Sequence, residues 1–305
     1  MKAIRFHEYG DPGVLRHEEV ERPVPGPGQV LIQVAATSFN GVDGNIRAGF
    51  MQGPIPVTLP HTPGIDVSGI VAEIGPDVTG VEVSDQVVGF LPMVADGAAA
   101  EFVVAPADIL APAPTSIPLV DAAALPIVGL TAWQALFEHA KLTAGQRVLI
   151  NGAGGAVGGY AVQLAKNAGA YVLGVAGPHS GEQVKAAGAD EVVDFDAVTT
   201  PVDVALNLAP VEPARLAALL DLIGDGGVLV NTTVWMPAPG DEKRGVRGID
   251  LFVRSDAAQL AHLVALVDSG QLRVDVAQRF PLAELPTVHT QAAAGALHGK
   301  TVITV

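Results

Sequence analysis

The sequence predicts an α/β protein made of an irregular β-barrel and a doubly wound parallel sheet. Two stretches of different character predict this. From Met1 to about Ser116 the chain is rich in Gly, Pro and Val, and its short alternating runs are typical of strands. From about Pro118 to Arg254, apolar strands alternate with alanine-rich helices, as in a parallel sheet covered on both faces. A length of 305 residues is enough for two such domains.

The strands are predicted from the periodicity of the apolar residues. In chain order they are Gln29–Ala35, Asp66–Ile74, Gln86–Phe90, Ala100–Val104, Arg147–Asn151, Tyr171–Val175, Glu191–Asp194, Val202–Leu206, Gly227–Asn231 and Gly248–Val253. From Asp256 onward the pattern predicts a helix to Ser269, a strand near Val276–Phe280, a helix from Leu282 and a last strand at Thr301–Val305. Helical patterns are scarce in the first stretch, which favours a barrel there.

Glycines recur at three-residue spacing directly after the strand Arg147–Asn151, and a helical pattern follows them. A strand, glycine turn and helix in this order let the backbone approach a pyrophosphate, and the helix N-terminus favours its negative charge. We therefore predict a dinucleotide site whose contacts are Gly152, Gly154, Gly155, Ala156, Val157 and Gly158. The alternative is a structural turn that binds nothing.

The composition excludes several kinds of site and partner. The chain has no cysteine, so disulfides, thiolate metal ligands and a cysteine nucleophile are excluded. A net charge of −15 argues against nucleic acid or an anionic membrane as a partner. No unbroken apolar run reaches transmembrane length, and no signal-peptide apolar stretch follows Met1-Lys-Ala-Ile-Arg. We therefore expect a cytoplasmic protein.

Several separated motifs add to the glycine turn. They are Pro25-Gly-Pro-Gly-Gln-Val-Leu-Ile, Asn40-Gly-Val-Asp43, Pro63-Gly-Ile-Asp66, Gly129-Leu-Thr-Ala-Trp-Gln-Ala-Leu136 and Gly299-Lys300. With these motifs in this order, the chain resembles the medium-chain dehydrogenase/reductase superfamily, specifically its zinc-free quinone oxidoreductase branch. The resemblance covers almost the whole chain.

The resemblance implies a domain organisation and an oligomeric state. A GroES-like catalytic domain would comprise residues 1–117 and 256–305, and a Rossmann cofactor domain would comprise residues 118–255. In the family the edge strand of the cofactor domain pairs across a homodimer, and Gly248–Val253 matches that strand. An unpaired apolar edge of this kind would promote aggregation, so a partner copy is expected.

The resemblance also locates the zinc ligands of the zinc-dependent relatives, and this chain lacks them. The positions of the ligands are occupied by Asn40, Ile65 and Ile127. An amide and two isoleucines cannot assemble a catalytic zinc site. His61 has no partner at metal-ligand spacing, and we interpret it as a loop histidine in a hydrogen bond. We therefore predict no bound metal.

The cofactor is predicted to be NADPH. NAD-specific sites place a carboxylate after the second strand for the ribose hydroxyls, and here none occurs between Val175 and Glu182. NADPH-using relatives have Ser at the position of Gly177 and a basic residue at that of His179, and both positions differ here. His179 and Ser180 remain candidates for phosphate binding, although His179 also fits a solvated turn.

The resemblance supplies the remaining candidate residues. Cofactor contacts are expected from Thr131 at the nicotinamide end, from Phe195 beside the adenine, and from Asn207, Phe252, Val253 and Lys300. Phe195 fits a core position equally well. Catalytic roles are expected for Asn40, Asn45 and Thr131, and an apolar substrate wall for Phe50, Met51 and Trp235, unless these three only pack. Asp43 and Arg47, four residues apart, fit a structural pair or a catalytic one.

Together these residues predict the reaction. Without zinc, the interconversion of an alcohol and a ketone lacks its Lewis acid, whereas reduction of a quinone or a conjugated C=C bond needs less polarisation. Relatives present two tyrosines near the substrate, where this chain has Asn45 and Met51, so solvent would protonate the product. We expect an NADPH-dependent reductase of quinones or α,β-unsaturated carbonyl compounds. The alternative is an NADPH-binding protein of low turnover with a structural or sensory role.

Overall fold

The computed structural model describes residues 1–177, 179–233 and 235–305, which form two compact units. Unit 1 comprises Met1–Ile127, Ser255–Gly270 and Val274–Val305, and unit 2 comprises Val128–Arg254 and Gln271–Arg273. Unit 1 is thus built from both ends of the chain. It continues beyond the boundary at residue 117 that the sequence suggested, because Ala123 and Ala124 pack against Ala36 and Val302 of unit 1.

Most strands of the described residues are short, and the longest is Gln29–Phe39. In the described residues the strands are β1 (Lys2–Phe6), β2 (Leu15–Glu19), β3 (Gln29–Phe39), β4 (Asp66–Ile74), β5 (Gln86–Phe90), β6 (Phe102–Pro106), β7 (Leu110–Pro112), β8 (Arg147–Asn151), β9 (Tyr171–Val175), β10 (Glu191–Val193), β11 (Val202–Asn207), β12 (Ile223–Asn231), β13 (Arg247–Asp250), β14 (Gln278–Pro281) and β15 (Thr301–Thr304).

The helices of the described residues are α1 (Gly41–Arg47), α2 (Leu119–Ala122), α3 (Pro126–Trp133), α4 (Ala156–Asn167), α5 (Gly181–Ala186), α6 (Pro213–Asp221), α7 (Ala257–Asp268) and α8 (Leu285–Ala293). A π-helix, Gln134–His139, continues α3 directly. Single 3₁₀ turns lie at Pro12–Val14, Ala107–Ile109, Phe195–Ala197 and Leu282–Glu284. No described helix combines the length and the apolar character needed to cross a bilayer.

Unit 1 is organised around β3, its longest strand. In the described chain β1 pairs with β2, and a larger sheet has the order β14-β15-β3-β4-β5-β7, with β6 also paired to β3. All these pairings are antiparallel except that between β14 and β15. Alternate residues of β3, such as Val30, Ile32 and Val34, pack against Val67 and Val71 of β4 in a buried core.

Unit 2 contains a parallel sheet of order β10-β9-β8-β11-β12-β13 in its described residues. The chain runs outward from β8 to β10, returns to β11 on the other side of β8, and then runs outward again. This is the doubly wound arrangement predicted from the sequence, and its switch point lies between β8 and β11. Val148, Leu149 and Ile150 of β8 are fully buried, as a central parallel strand requires.

One predicted strand ends earlier than expected. The edge strand predicted at Gly248–Val253 is β13, Arg247–Asp250. Asp250 pairs with Asn231, the last residue of β12, and the Leu251 N–H donates to the Asn231 carbonyl at 2.8 Å. Beyond that point β12 offers no further residue to pair with, so the chain from Phe252 onward leaves the sheet.

The start of α4 lies so close to the preceding turn that only glycine fits there. A Cβ on Gly158 would collide with the Gly152 carbonyl oxygen and the backbone of Ala153, whereas a Cβ on Gly159 would meet no described atom within 4 Å.

We predict that Gly158→Ala lowers the free energy of unfolding by roughly 1–3 kcal/mol through overpacking. Gly159→Ala should raise it by up to about 1 kcal/mol through helix propensity. Urea denaturation of both variants checks this, and similar shifts in both would contradict the close approach.

Candidate functional site

The glycine turn lies at the carboxyl end of β8, beside β9. Gly152 has a φ of +87°, a conformation that residues with a Cβ rarely adopt. The Ala153 N–H donates to the Val175 carbonyl and the Gly155 N–H donates to the Gly152 carbonyl, both at 3.0 Å. These bonds hold the turn against the end of β9. The structure therefore forms the turn that the sequence predicted, at the edge of the sheet where ligands of doubly wound folds bind.

The turn leads into the N-terminus of α4. Gly155 is the N-cap residue, and the first backbone hydrogen bond of the helix runs from the Gly159 N–H to the Gly155 carbonyl (3.0 Å). The N–H groups of Ala156, Val157 and Gly158 precede that bond, and helix geometry gives them no intrahelical acceptor. With the helix dipole, they form a binding position for an anion such as a pyrophosphate.

Gly155 leaves this position open. It is exposed, and a Cβ built on it would meet only the Gly152 carbonyl oxygen, at 3.3 Å, among the described atoms within 4 Å. Its φ of −81° is one that any residue adopts. The fold therefore tolerates a side chain at residue 155 far better than at Gly158. A side chain there would instead occupy the space in front of the helix N-terminus.

The segment after β9 brings Ser180 to the turn. Ser180 is the N-cap of α5, and its Oγ donates to the Gly177 carbonyl at 3.3 Å. A Cβ on Gly154 would collide with this hydroxyl, so Ser180 lies directly against the glycine turn. His179 is exposed beside it. Of the two predicted phosphate-binding residues, Ser180 is thus placed next to the turn, and no carboxylate occurs between Val175 and Ser180.

Three buried asparagines form a hydrogen-bonded ladder along the same edge of the sheet. The Asn151 Nδ2 donates to the Asn207 Oδ1 (2.7 Å), and the Asn207 Nδ2 donates to the Asn231 Oδ1 (2.9 Å). The Asn231 Nδ2 then donates to a carboxylate oxygen of Asp250 (3.1 Å). These four residues occupy one level of β8, β11, β12 and β13. The ladder ties the carboxyl ends of four strands together.

The ladder has one direction because an ionised carboxylate accepts hydrogen bonds and cannot donate them. Asp250 therefore orients the amide of Asn231, which in turn orients those of Asn207 and Asn151. The Nδ2 of Asn207 donates to Asn231 and, at 3.4 Å, to the Thr233 hydroxyl, so a cofactor contact by Asn207 would be made by its Oδ1, which can accept a second hydrogen bond. The sequence reasoning missed the ladder. The only signal in the sequence was that an asparagine ends two of the predicted strands, at Asn151 and Asn231, and directly follows a third, at Asn207.

The other predicted cofactor residues of unit 2 differ in their surroundings. Thr131 is buried in α3, Phe252 is 55% exposed, and Val253 is partly buried in the segment after β13. Phe195 is buried in the core, and the Arg215 guanidinium lies 3.7 Å from the centre of its ring. This placement favours the core role that the sequence left open for Phe195, since the side chain is buried and the Arg215 guanidinium lies over its ring.

A buried polar cluster in unit 1 is centred on Asp66, at the start of β4. The Oδ2 of Asp66 accepts hydrogen bonds from Ser38 Oγ (2.5 Å), Asn40 Nδ2 (2.9 Å) and Lys300 Nζ (3.2 Å). Its Oδ1 accepts from the Ile127 N–H at 2.8 Å. Asp66 is fully buried, and four hydrogen bonds with one cation compensate for its lost hydration.

Lys300 is the buried cation of this cluster, with 4% of its surface exposed. Its ammonium donates to Asn40 Oδ1 at 2.5 Å and to the Phe39 carbonyl at 3.5 Å, besides Asp66. Burial lowers the pKa of Lys300, and the Asp66 carboxylate opposes that shift. The three hydrogens of the ammonium are all directed into unit 1. A cofactor contact by Lys300, as predicted, would require it to leave a buried carboxylate.

Asn40 is held on both sides of its carboxamide. Its Oδ1 accepts from Lys300, and its Nδ2 donates to Asp66 and, at 3.4 Å, to the Ser38 carbonyl. A hydrogen bond from Asn40 to a substrate would therefore compete with bonds inside the protein. Asn45, the other predicted catalytic amide, is partly buried on α1.

Asp43 and Arg47 bind backbone groups and do not pair with each other as the sequence suggested. The two carboxylate oxygens of Asp43 accept from the N–H groups of Asn40 (2.9 Å) and Gly64 (3.1 Å). Burial raises the pKa of Asp43 to about 6, and these two N–H donors oppose the shift. The Arg47 Nη1 donates to the Gly10 carbonyl at 2.9 Å. Both residues therefore brace loops around α1.

The predicted substrate wall is split between surface and core. Phe50 is 66% exposed after α1, and Trp235 is 60% exposed after β12. Met51 is buried in a core cluster of unit 1 with Phe6, Ile46 and Ile303. Met51 therefore has the alternative role that the sequence left open, which is ordinary packing in the core.

The residues at the predicted zinc-ligand positions do not fit a zinc ion. Asn40 is bonded to an ammonium group, and Ile65 and Ile127 are buried aliphatic side chains. Among the described residues, no three His, Cys, Asp or Glu side chains are grouped so that they could hold a metal. His61 is buried with its ring edge against Phe6 and its Nδ1 3.7 Å from Asp96, and burial lowers its pKa.

Removing one partner of the buried Lys300–Asp66 pair should lower stability far more than removing one partner of a surface pair. We predict that Lys300→Met lowers the free energy of unfolding by about 3–5 kcal/mol, because it leaves a buried carboxylate without its cation. Lys166→Met removes the surface pair with Asp190 (2.5 Å) and should cost less than about 1 kcal/mol. Urea denaturation of both variants at pH 7 provides the comparison. Equal losses would show that the cluster does not hold unit 1 together.

Two protein-family models match the chain. The alcohol dehydrogenase GroES-like domain matches residues 26–115, and a domain described as zinc-binding dehydrogenase matches residues 187–303. The first match agrees with the barrel-like unit predicted from the sequence. The description of the second names zinc, but the donor groups described above do not fit that metal.

Whole-chain relatives agree with these matches. The chloroplastic quinone-oxidoreductase QR1 of Triphysaria versicolor is 31% identical, covering 99% of this chain and 98% of its own. The mitochondrial NAD(P)H oxidoreductase RTN4IP1 of Homo sapiens is 31% identical, covering 100% of this chain and 89% of its own. The solved structure of the quinone oxidoreductase from Coxiella burnetii superposes with a TM-score of 0.92 at 32% identity, covering 100% of this chain and 99% of that one.

Proposed function

Since the chain belongs to the medium-chain dehydrogenase/reductase superfamily, in its quinone oxidoreductase branch, we propose that it is an NADPH-dependent reductase that needs no zinc. Its substrates would be quinones or the C=C bond of α,β-unsaturated carbonyl compounds. The observation that carries the proposal is the glycine turn, with exposed Gly155 in front of the N-terminus of α4. The relatives named above as quinone oxidoreductases support the choice of acceptor.

The chain is an oxidoreductase of a family that uses a nicotinamide cofactor, and unit 2 has the groups to bind one. The backbone of Gly152, Gly154 and Gly155 and the N–H groups at the start of α4 would hold the pyrophosphate. Thr131 would contact the nicotinamide end, and Phe252 and Val253 would be further cofactor contacts. The bound cofactor would supply a hydride.

The preference for NADPH rests on the segment after β9. A carboxylate there would bind the ribose hydroxyls of NADH and repel a 2′-phosphate. The segment instead presents the Ser180 hydroxyl, next to Gly154, and the exposed His179. Lys185 lies in α5, the helix that begins after Ser180. With a net charge of −15, the chain needs such local donors to attract a phosphate.

Chemistry without zinc requires an acceptor whose negative charge delocalises. In a quinone or an enone the charge that develops during reduction spreads onto a carbonyl oxygen. Asn45 on α1 would donate a hydrogen bond to that oxygen, but an amide cannot supply a proton. The three tyrosines of the chain are Tyr9, Tyr160 and Tyr171, and none stands at the positions of the relatives' substrate-side tyrosines. Solvent would therefore protonate the product.

A second function is favoured by one observation. The carboxamide of Asn40 is bonded on both sides within the buried cluster, so this predicted catalytic residue has no hydrogen left to offer a substrate. An NADPH-binding protein of low turnover, with a structural or sensory role, would need no such donor. We keep this as the alternative, and the turnover experiment below separates the two.

Two further proposals come from the sequence. The edge strand β13 has β12 on one side, and we propose that its other side pairs with β13 of a second copy in a homodimer. We also propose a cytoplasmic location, although the names of two relatives place those proteins in chloroplasts and mitochondria. Light scattering and fractionation of cells that express the native chain test these two points.

The proposed reaction predicts steady oxidation of NADPH with 1,4-benzoquinone or a simple enone, and slower oxidation of NADH at equal concentration. Because no residue of the predicted zinc position can bind the metal, prolonged chelation should leave the rate unchanged. Absorbance at 340 nm follows the reaction, and elemental analysis measures zinc. Tight NADPH binding without turnover on any quinone or enone would instead support the low-turnover alternative, and equal use of NADH would refute the cofactor preference.

Substitutions at the two ends of the cofactor site should have different effects. Gly155→Val should weaken NADPH binding strongly, by at least about tenfold, because its side chain would occupy the pyrophosphate position, while the melting temperature changes little. Thr131→Ala should leave NADPH binding within a small factor and slow hydride transfer.

Calorimetric dissociation constants, melting temperatures and single-turnover rates of both variants make the comparison. Gly159→Ala, in the same helix but with no described atom within 4 Å of its new Cβ, is the matched control and should bind NADPH normally. Normal NADPH binding by folded Gly155→Val would show that the glycine turn is not the cofactor site.

A further inference from the structure

Gln134 makes an unusual pair of hydrogen bonds with the backbone of Arg254. Its Nε2 donates to the Arg254 carbonyl (2.9 Å), and its Oε1 accepts from the Arg254 N–H (3.1 Å). Gln134 is buried, and it is the first residue of the π-helix that continues α3. One side chain therefore engages both backbone groups of one residue, as a neighbouring strand would.

These two bonds anchor a segment that has left the sheet. β13 ends at Asp250, and the Leu251 N–H still donates to the Asn231 carbonyl (2.8 Å). Gln134 holds the next backbone position beyond Val253. Phe252 and Val253 therefore lie between two residues with fixed backbones, namely Leu251, which is bonded to β12, and Arg254, which is bonded to the π-helix. Two parallel bonds to one residue restrict both its position and its rotation, which a single bond does not.

The same helix carries a predicted nicotinamide contact. Thr131 lies three residues before Gln134, and residues at this spacing lie on neighbouring positions of one helical face. The π-turn is confirmed by the bond from the Ala140 N–H to the Ala135 carbonyl (3.0 Å). Such turns occur often at functional sites. One helical element thus presents Thr131 and fixes the backbone next to Phe252 and Val253.

We propose that Gln134 is a positioning residue for the nicotinamide end of the cofactor. It holds the backbone of Phe252 and Val253 at a fixed distance from Thr131, so that these three groups bind the redox end of the dinucleotide together. This inference rests on the proposed function, namely that unit 2 binds NADPH. Every residue involved belongs to unit 2. Gln134 has no part in binding the pyrophosphate or the adenosine end.

A control for a merely structural effect stands in the same π-helix. The Arg254 Nη2 donates to the Glu138 Oε1 at 2.6 Å, in a pair whose side chains are 55% and 32% exposed. Glu138 therefore contacts the same residue as Gln134, but through the side chain at the surface. Exposed pairs of this kind contribute little. Glu138→Gln tests whether weakening this side-chain contact of Arg254 is enough to weaken cofactor binding.

The experiment compares two ligands on the full chain. NADPH carries both ends of the cofactor, whereas adenosine 2′,5′-bisphosphate carries only the adenosine end. For Gln134→Met, which keeps the side-chain length but loses both hydrogen bonds, we expect about tenfold weaker NADPH binding. The dissociation constant of the bisphosphate should stay within about twofold of the wild-type value. Glu138→Gln should leave both constants within the same limit.

The outcomes distinguish the two proposals. Equal weakening of both ligands by Gln134→Met, or no weakening of either, overturns the positioning role while leaving the proposed function intact. If the wild-type chain binds neither ligand, the proposed function fails and this inference with it. Should Gln134→Met fail to fold, Gln134→Glu keeps the shape and the acceptor for the Arg254 N–H, and the same selective loss of NADPH affinity is expected, to a smaller extent.

Discussion

All strands of a parallel sheet end at the same edge, and this constraint determines the candidate site of unit 2. The glycine turn after β8, Ser180 after β9 and the segment after β13 all lie along that edge, and Ser180 lies directly against the turn. The asparagine ladder reinforces the same edge, because each amide bonds to the next strand at one level.

Unit 1 depends on a different physical requirement, the compensation of a buried charge. Asp66 is fully buried, so its carboxylate must replace its lost hydration with donors. Ser38 and Asn40 at the end of β3, the Ile127 N–H in α3 and Lys300 before β15 provide these donors from three different parts of the chain. Since removal of one partner would leave a charge uncompensated, the cluster links the N-terminal strands to the last strand of the chain.

These two arrangements suggest how the chemistry is divided. In unit 2 the groups that would bind a dinucleotide are accessible, with Gly155 exposed and the helix N-terminus open. In unit 1 the polar groups that resemble a catalytic set, above all Asn40 and Lys300, are bonded to one another. A reaction that depends on the placement of a hydride donor, and little on acid–base groups, suits such a protein. The proposed reduction of quinones and enones is of this type.

The sequence by itself determined most strands of the two larger sheets, the doubly wound arrangement, the glycine turn and the absence of cysteine ligands, because these follow from local periodicity and from the identity of single side chains. The strands β1, β2 and β7 were not predicted. The sequence did not show the asparagine ladder, the Lys300–Asp66 contact or the Gln134–Arg254 pair. Lys300 lies 260 residues from Asn40, and Gln134 lies 120 residues from Arg254. Only the tertiary structure decided those contacts, because a buried polar group bonds to whichever partner the pairing of distant strands and helices brings within reach.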